Sequence, residues 1–368
     1  MTLSVNTANL RSFAKDLESL ASTTGFGSTV CLSKDARTHA EEYVRLDSAH
    51  TGPMYLSVLD KTTAMREDVV ALLQQLGAAL SGSAVEIGRT ADEYDTDDDE
   101  AAAELDAAFP VEDGAHVSRW SQAVYTTAPP SVLDVQGPTA PSEAREFEDY
   151  VAEILTTDWL SPSAAVNQLI DFFFDVDPVE AVVKNFSGDW NSMYLCASAL
   201  DNLGAYFKGM GVMVPQTASI GINTWTGNVA DAALGYFSRL GAQCTPWMDA
   251  VQYPGNSYRL VADSMKMWAE ALGSAMTTIM DALLFAIVCA AGGTALIETV
   301  VGAIIGYLAM FGGLGVVAFN VYRVTDILAE AYDAIIALGA VIGTVSQLMV
   351  PGEITFTPPT AYDNTLVN

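Results

Sequence analysis

The chain has 368 residues, 51% of them hydrophobic, with a mean hydropathy of +0.27, which excludes disorder throughout and allows a sizeable buried core. Its 45 acidic residues outnumber 16 basic ones for a net charge of −29, and ten of the bases stand before residue 146, so no basic patch is left to neutralise the phosphates of a nucleic acid. The four cysteines, Cys31, Cys196, Cys244 and Cys289, form no CxxC pair and suit neither a structural zinc site nor a dense disulfide framework.

The amino terminus, MTLSVNTANLRSFAKDLESL, lacks a charged stretch followed by an apolar one, so no general secretory signal is read there. From Asn6 or Thr7 as a cap, Leu10, Phe13, Leu17 and Leu20 recur at spacings of three and four and predict an amphipathic helix ending at the Gly25/Gly27 turn. A polar helix follows over roughly residues 34–48. Val69, Leu73, Leu76, Leu80, Ala84, Ile87, Ala91 and Tyr94 then form a long apolar stripe. Its last member, Tyr94, lies inside the acid-rich run ADEYDTDDDEAAAELD, with Asp98 four residues further on the same face if the helix continues. By themselves, carboxylates at a helix carboxyl end oppose the macrodipole and mark a place to stop.

Residues 109–145, with motifs such as TTAPPS and GPTAPSEA, read as an extended linker and a domain boundary. Beyond it, helices broken at Pro178 and near Gly188 precede one running from about Asp189 to Lys208. Trp225 and Gly227 stand in a turn, and the next helix carries Val229, Ala233, Tyr236, Phe237 and Leu240 on one side. The reading up to here is all-α. It comprises an amino-terminal helical unit (1–108), the linker (109–145) and a second helical domain (146–270).

An apolar, glycine-rich helical region (271–350) follows, with an unstructured tail over 351–368. Within it, residues 299–322 carry no charge, a length sufficient to cross a bilayer, and Gly302 and Gly306 are spaced for close helix packing. Periodicity alone leaves two readings of this region open: the core of a soluble bundle, with Asp281, Glu298 and Arg323 at helix ends, or a membrane-inserting hairpin. The acidic surface disfavours anionic lipid, so insertion requires a trigger or partner.

Catalytic signatures are sparse. His39, His50 and His116 lie in or before the linker, outside any HExxH or GxSxG motif, and read as surface residues. No GxxxxGK[ST] or GxGxxG loop occurs. The reading is therefore non-enzymatic, with no catalytic residue, cofactor or metal assigned.

The two aromatic motifs, Tyr94-Asp95-Thr96-Asp97-Asp98 and Trp225-Thr226-Gly227, carry a resemblance to substrates of the actinobacterial type VII (ESX) secretion system. In small Trp-x-Gly hairpin proteins and their PE/PPE relatives, a Trp-x-Gly turn on one hairpin and a Tyr-x-x-x-Asp/Glu motif on its partner form a composite export signal read by the secretion ATPase. The resemblance implies that signal for Tyr94, Asp98, Trp225 and Gly227, and export to the cell surface or medium without a general signal peptide. Both motifs in one chain look like the EspB-type proteins, which implies an elongated bundle of two fused Trp-x-Gly-type hairpins. The stretch DPVEAVVKNFSGDWNSMYLCASALDNLG, with WTGNVADAALGYFSRL, is also similar to the amino-terminal part of actinobacterial polymorphic toxins.

Two functions after export remain open. One is an oligomerising or membrane-interacting effector or translocation module; the other is a structural or carrier module for other secreted proteins. A third reading is the export part of a toxin lacking its catalytic domain. A small helical-hairpin co-substrate or chaperone, and a second copy of the chain, are further candidate partners.

Overall fold

The computed structural model describes residues 5–21, 32–46, 52–96, 188–291, 312–349 and 362–363, and these fold as six α-helices. Helix α1 (Thr7–Ala21) starts where the Asn6 side chain accepts the Asn9 N–H at 3.2 Å, an N-cap that satisfies one of the first-turn donors. Leu10, Phe13, Leu17 and Leu20 are all buried, as their spacing predicts. Helices α2 (Leu32–Tyr43) and α3 (Pro53–Thr96) follow. Proline at the first position of α3 costs no hydrogen bond, because that N–H would be unpaired anyway.

Helix α4 (Asn191–Gly221) opens with the Asp189 carboxylate accepting the Ser192 N–H at 3.0 Å. It runs well past Lys208 and through Pro215, further than its sequence suggests. The reason lies in its neighbour, α5 (Asn228–Ala291), a helix of 64 residues and roughly 95 Å that itself passes through Pro246 and Pro254. Pro215 lacks the N–H that would bond the Gly211 carbonyl. That carbonyl faces Gly241 of α5, where an added Cβ would stand 3.0 Å from it and would overlap the Pro215 ring. Two glycines let the backbones approach until the proline is packed rather than exposed.

Helix α5 also runs unbroken across residue 270, so the division expected there from composition is not a structural break. Asp281 lies inside α5, and Arg323 inside α6 (Gly313–Met349), neither at a helix end.

Side-chain contacts set the helix directions. Arg11 meets Asp92 and Glu18 meets Ser81, so α1 runs antiparallel to α3. The Tyr55 and Ser192 hydroxyls lie 2.9 Å apart, Thr62 hydrogen-bonds Tyr258, and Tyr94 meets Trp225. Accordingly α3 is parallel to α4 and antiparallel to α5. Glu330 accepts from the Trp268 indole and Gly339 lies under Lys61, which places α6 antiparallel to α5.

Residues from all six helices join one hydrophobic core, so the chain segments on either side of the expected linker bury their apolar faces against each other. Two further expectations are overturned. His39 is 4% exposed, with Nε2 at 3.2 Å from the Ala199 carbonyl, because α2 packs it against α4. Tyr362, expected in an unstructured tail, is 5% exposed and belongs to the core, because its ring finds an aromatic seat on α5. His50, His116, the linker 109–145, Gly302 and Gly306 lie outside the described residues.

Candidate functional site

The end of the bundle where α3 stops and α4 turns into α5 gathers Tyr94, Trp225 and Gly227, three of the four residues singled out in the two aromatic motifs. After α4 the backbone closes tightly: Trp225 N–H donates to the Ile222 carbonyl at 2.9 Å, and Asp231 N–H to the Gly227 carbonyl at 3.1 Å. Gly227 has φ of 130°, a conformation that side chains with a Cβ rarely adopt, so glycine is what allows the chain to enter α5 here. The turn delivers the Trp225 ring inward, leaving it 2% exposed.

From α3, the half-buried Tyr94 presents its ring edge-to-face to Trp225, with centroids 6.1 Å apart and planes at 76°. Such a pair contributes about 0.5–1.5 kcal/mol beyond its buried area. The Trp225 Nε1–H is buried and meets no acceptor among the described residues, an unmet donor that normally carries a cost. Asp98 lies outside the described residues.

The acidic end of α3 is held by residues whose role is not visible in the motif. Arg11 of α1 reaches Asp92 at 2.8 Å and Asp95 at 2.5 Å. Hydrogen bonding to Arg11, and then to Thr7, keeps the Asp95 carboxyl below the usual carboxylate range, while the two aspartates raise the Arg11 guanidinium. The cation also offsets carboxylates that would otherwise oppose the negative end of the helix dipole. Asn9 Nδ2 donates to Thr224 Oγ1 at 2.9 Å, tying α1 to the turn. Beneath it, Gly221 leaves room for Phe13, whose ring packs edge-on against Phe237 at 5.2 Å. Sequence reasoning missed Asn9 and Arg11. The available signal was one arginine on the polar side of an otherwise ordinary amphipathic helix.

Chemically this end combines an aromatic pair with exposed carboxylates. It displays the exposed part of a tyrosine beside aspartates whose side chains are 72% (Asp92) and 44% (Asp95) exposed, backed by a rigid indole. Among the described residues, the two cysteines Cys196 and Cys244 are buried and free of disulfides, and burial pushes both thiols up to about 12, which makes them poor nucleophiles. No group of three or more histidine, cysteine, aspartate or glutamate side chains is placed to hold a metal ion among the described residues.

By its helices the chain belongs to the all-α class. No family model matches it, and neither a curated protein nor a solved structure shows detectable similarity to it.

Proposed function

We propose that this chain is a substrate of a type VII secretion system, exported through a composite signal of Tyr94, Asp98, Trp225 and Gly227 that the secretion ATPase reads. One observation carries the reading: Tyr94 and Trp225, from opposite sides of the long intervening segment, meet ring to ring at one end of the bundle. A signal that works as a unit requires that juxtaposition, and the positive φ of Gly227 supplies a reason for the glycine of the motif. In this reading α1–α3 and α4–α5 are the two hairpin modules, fused in one chain and joined through a common core.

The proposal predicts secretion outcomes in an actinobacterial host carrying such a system. Wild-type protein is expected in the medium, and Tyr94→Ala and Asp98→Ala proteins are expected inside the cell at undiminished total amounts. Unchanged export of both variants, or export that persists without the secretion ATPase, overturns the assignment.

After export, the reading favoured here is a non-enzymatic, membrane-interacting module. Two helices, Pro53–Asp95 and Gly315–Thr344, are long and apolar enough to cross a membrane by length and composition among the described residues. The first is half buried as a core helix. The second buries only 28% of its apolar window and exposes Val316, Phe319, Tyr322 and Ile336. Flotation of the intact chain with neutral-lipid vesicles tests this, and it is expected to fail for a Val316→Ser/Phe319→Ser/Tyr322→Ser variant. Absence of the intact chain from the floating fraction removes the membrane reading and favours a carrier module.

A further inference from the structure

Tyr362 lies outside every helix it touches. Its ring centroid is 5.7 Å from that of Tyr236 and 6.1 Å from that of Phe237, both on α5. Its backbone N–H donates to Ser83 Oγ of α3 at 2.8 Å. The next residue, Asp363, is exposed, so of this described pair only the aromatic side chain enters the core.

The receiving side is complete without it. The Ser83 hydroxyl donates its own proton to the Ala79 carbonyl at 2.6 Å and also meets the Tyr236 hydroxyl. Withdrawing Tyr362 therefore removes an incoming N–H and leaves no donor on the helices unpaired. The Tyr362 hydroxyl, by contrast, is buried with no acceptor among the described residues. The seat fits an aromatic ring and a peptide N–H, and among the described residues it gives the phenol oxygen no hydrogen bond. A buried hydroxyl without a partner weakens the hold of the ring it belongs to.

We propose that Ser83, Tyr236 and Phe237 form a docking slot for an aromatic residue carried outside the helices, and that the chain's own Tyr362 fills it as a detachable clasp across α3 and α5. Among the described residues, the attachment consists of one ring and one neutral hydrogen bond. The α4–α5 seam beside it is instead built from interlocked glycines, a proline and several buried aromatics. The slot also borders an aromatic row, since Phe237 touches both Tyr362 and Phe13 of α1.

Hydrogen exchange on the intact wild-type chain is the first test. The Tyr362 amide is expected to be protected, yet to exchange at least about tenfold faster than amides in the middle of α3 and α5, as a local opening does. The second test titrates a labelled peptide with the sequence of residues 356–368 into the full-length Tyr362→Ala chain. Saturable binding is expected, about tenfold or more tighter than to the wild-type chain, whose slot is already filled. A peptide with alanine for tyrosine is expected not to bind, and one with phenylalanine to bind at least as well.

The proposal is overturned by a Tyr362 amide that lacks protection or exchanges only when α3 and α5 open. It is equally overturned by a helical Tyr362→Ala chain that ignores the peptide, or by equal binding of the alanine peptide. Should Tyr362→Ala unfold the bundle, the exchange experiment on the wild-type chain decides alone.

Discussion

At the scale of single residues, burial has changed what His39 does. Its Nε2–H tautomer donates to the Ala199 carbonyl, and burial holds its pKa below the ordinary histidine value of 6.5. The folded state thus prefers the neutral ring. Its contribution is intact above about pH 6.5 and is lost as pH falls from there through the depressed folded value. The urea midpoint is expected to drop between about pH 7 and pH 5, and His39→Gln is expected to flatten that slope. At the turn, Gly227→Ala forces a Cβ into a positive-φ conformation and is expected to cost about 1–3 kcal/mol in urea unfolding. Trp225→Ala empties a buried site and is expected to cost about 3–5 kcal/mol. Trp225→Phe is expected to cost less, since it keeps most of the ring and removes the unmet Nε1–H.

At the scale of elements, glycines separate into those that carry a helix contact and those that do not. Gly241 sits where α5 meets Pro215 and the Gly211 carbonyl, so Gly241→Val overpacks the α4–α5 seam and is expected to cost about 1–3 kcal/mol or more. Gly88 on α3 has nothing within 4 Å of an added Cβ. There the helix-propensity term acts alone, and Gly88→Ala is expected to stabilise by about 0.5–1 kcal/mol. Opposite signs for the same kind of substitution, read from thermal melts, distinguish packing from propensity. The same contrast explains why α4 tolerates Pro215: the freed carbonyl of Gly211 and the flat glycine surface opposite it create a contact that a regular helix pair would not have.

At the scale of the whole molecule, a net charge of −29 makes the chain repel itself. Added monovalent salt shortens the Debye length from about 30 Å at 0.01 M to about 8 Å at 0.15 M, so the melting temperature is expected to rise over that range. A fall would mean that ion pairs such as Arg11 with Asp92 and Asp95 outweigh the general repulsion. The single core also predicts cooperative behaviour. Residues before and after the expected linker share it, so α1–α3 and α4–α6 are expected to unfold in one transition by circular dichroism and tryptophan fluorescence.

The all-α class and the buried faces of α1 and α3 were legible in the sequence, because the 3.6-residue repeat of apolar side chains encodes which side of a helix faces inward. So was the turn at Trp225 and Gly227, where a glycine between two apolar runs announces a change of direction. The continuity of α4 and α5 was not legible, since local propensity at Pro215, Pro246 and Pro254 argues for breaks that only an opposing helix can overrule. Nor were the burial of His39, the bridge from Arg11, or the seat of Tyr362. Each depends on a partner far away in the chain, and sequence spacing carries no record of which distant surface will arrive. Sequence determined where the apolar faces lie; tertiary structure alone decided which of them meet, and so brought Tyr94 to Trp225.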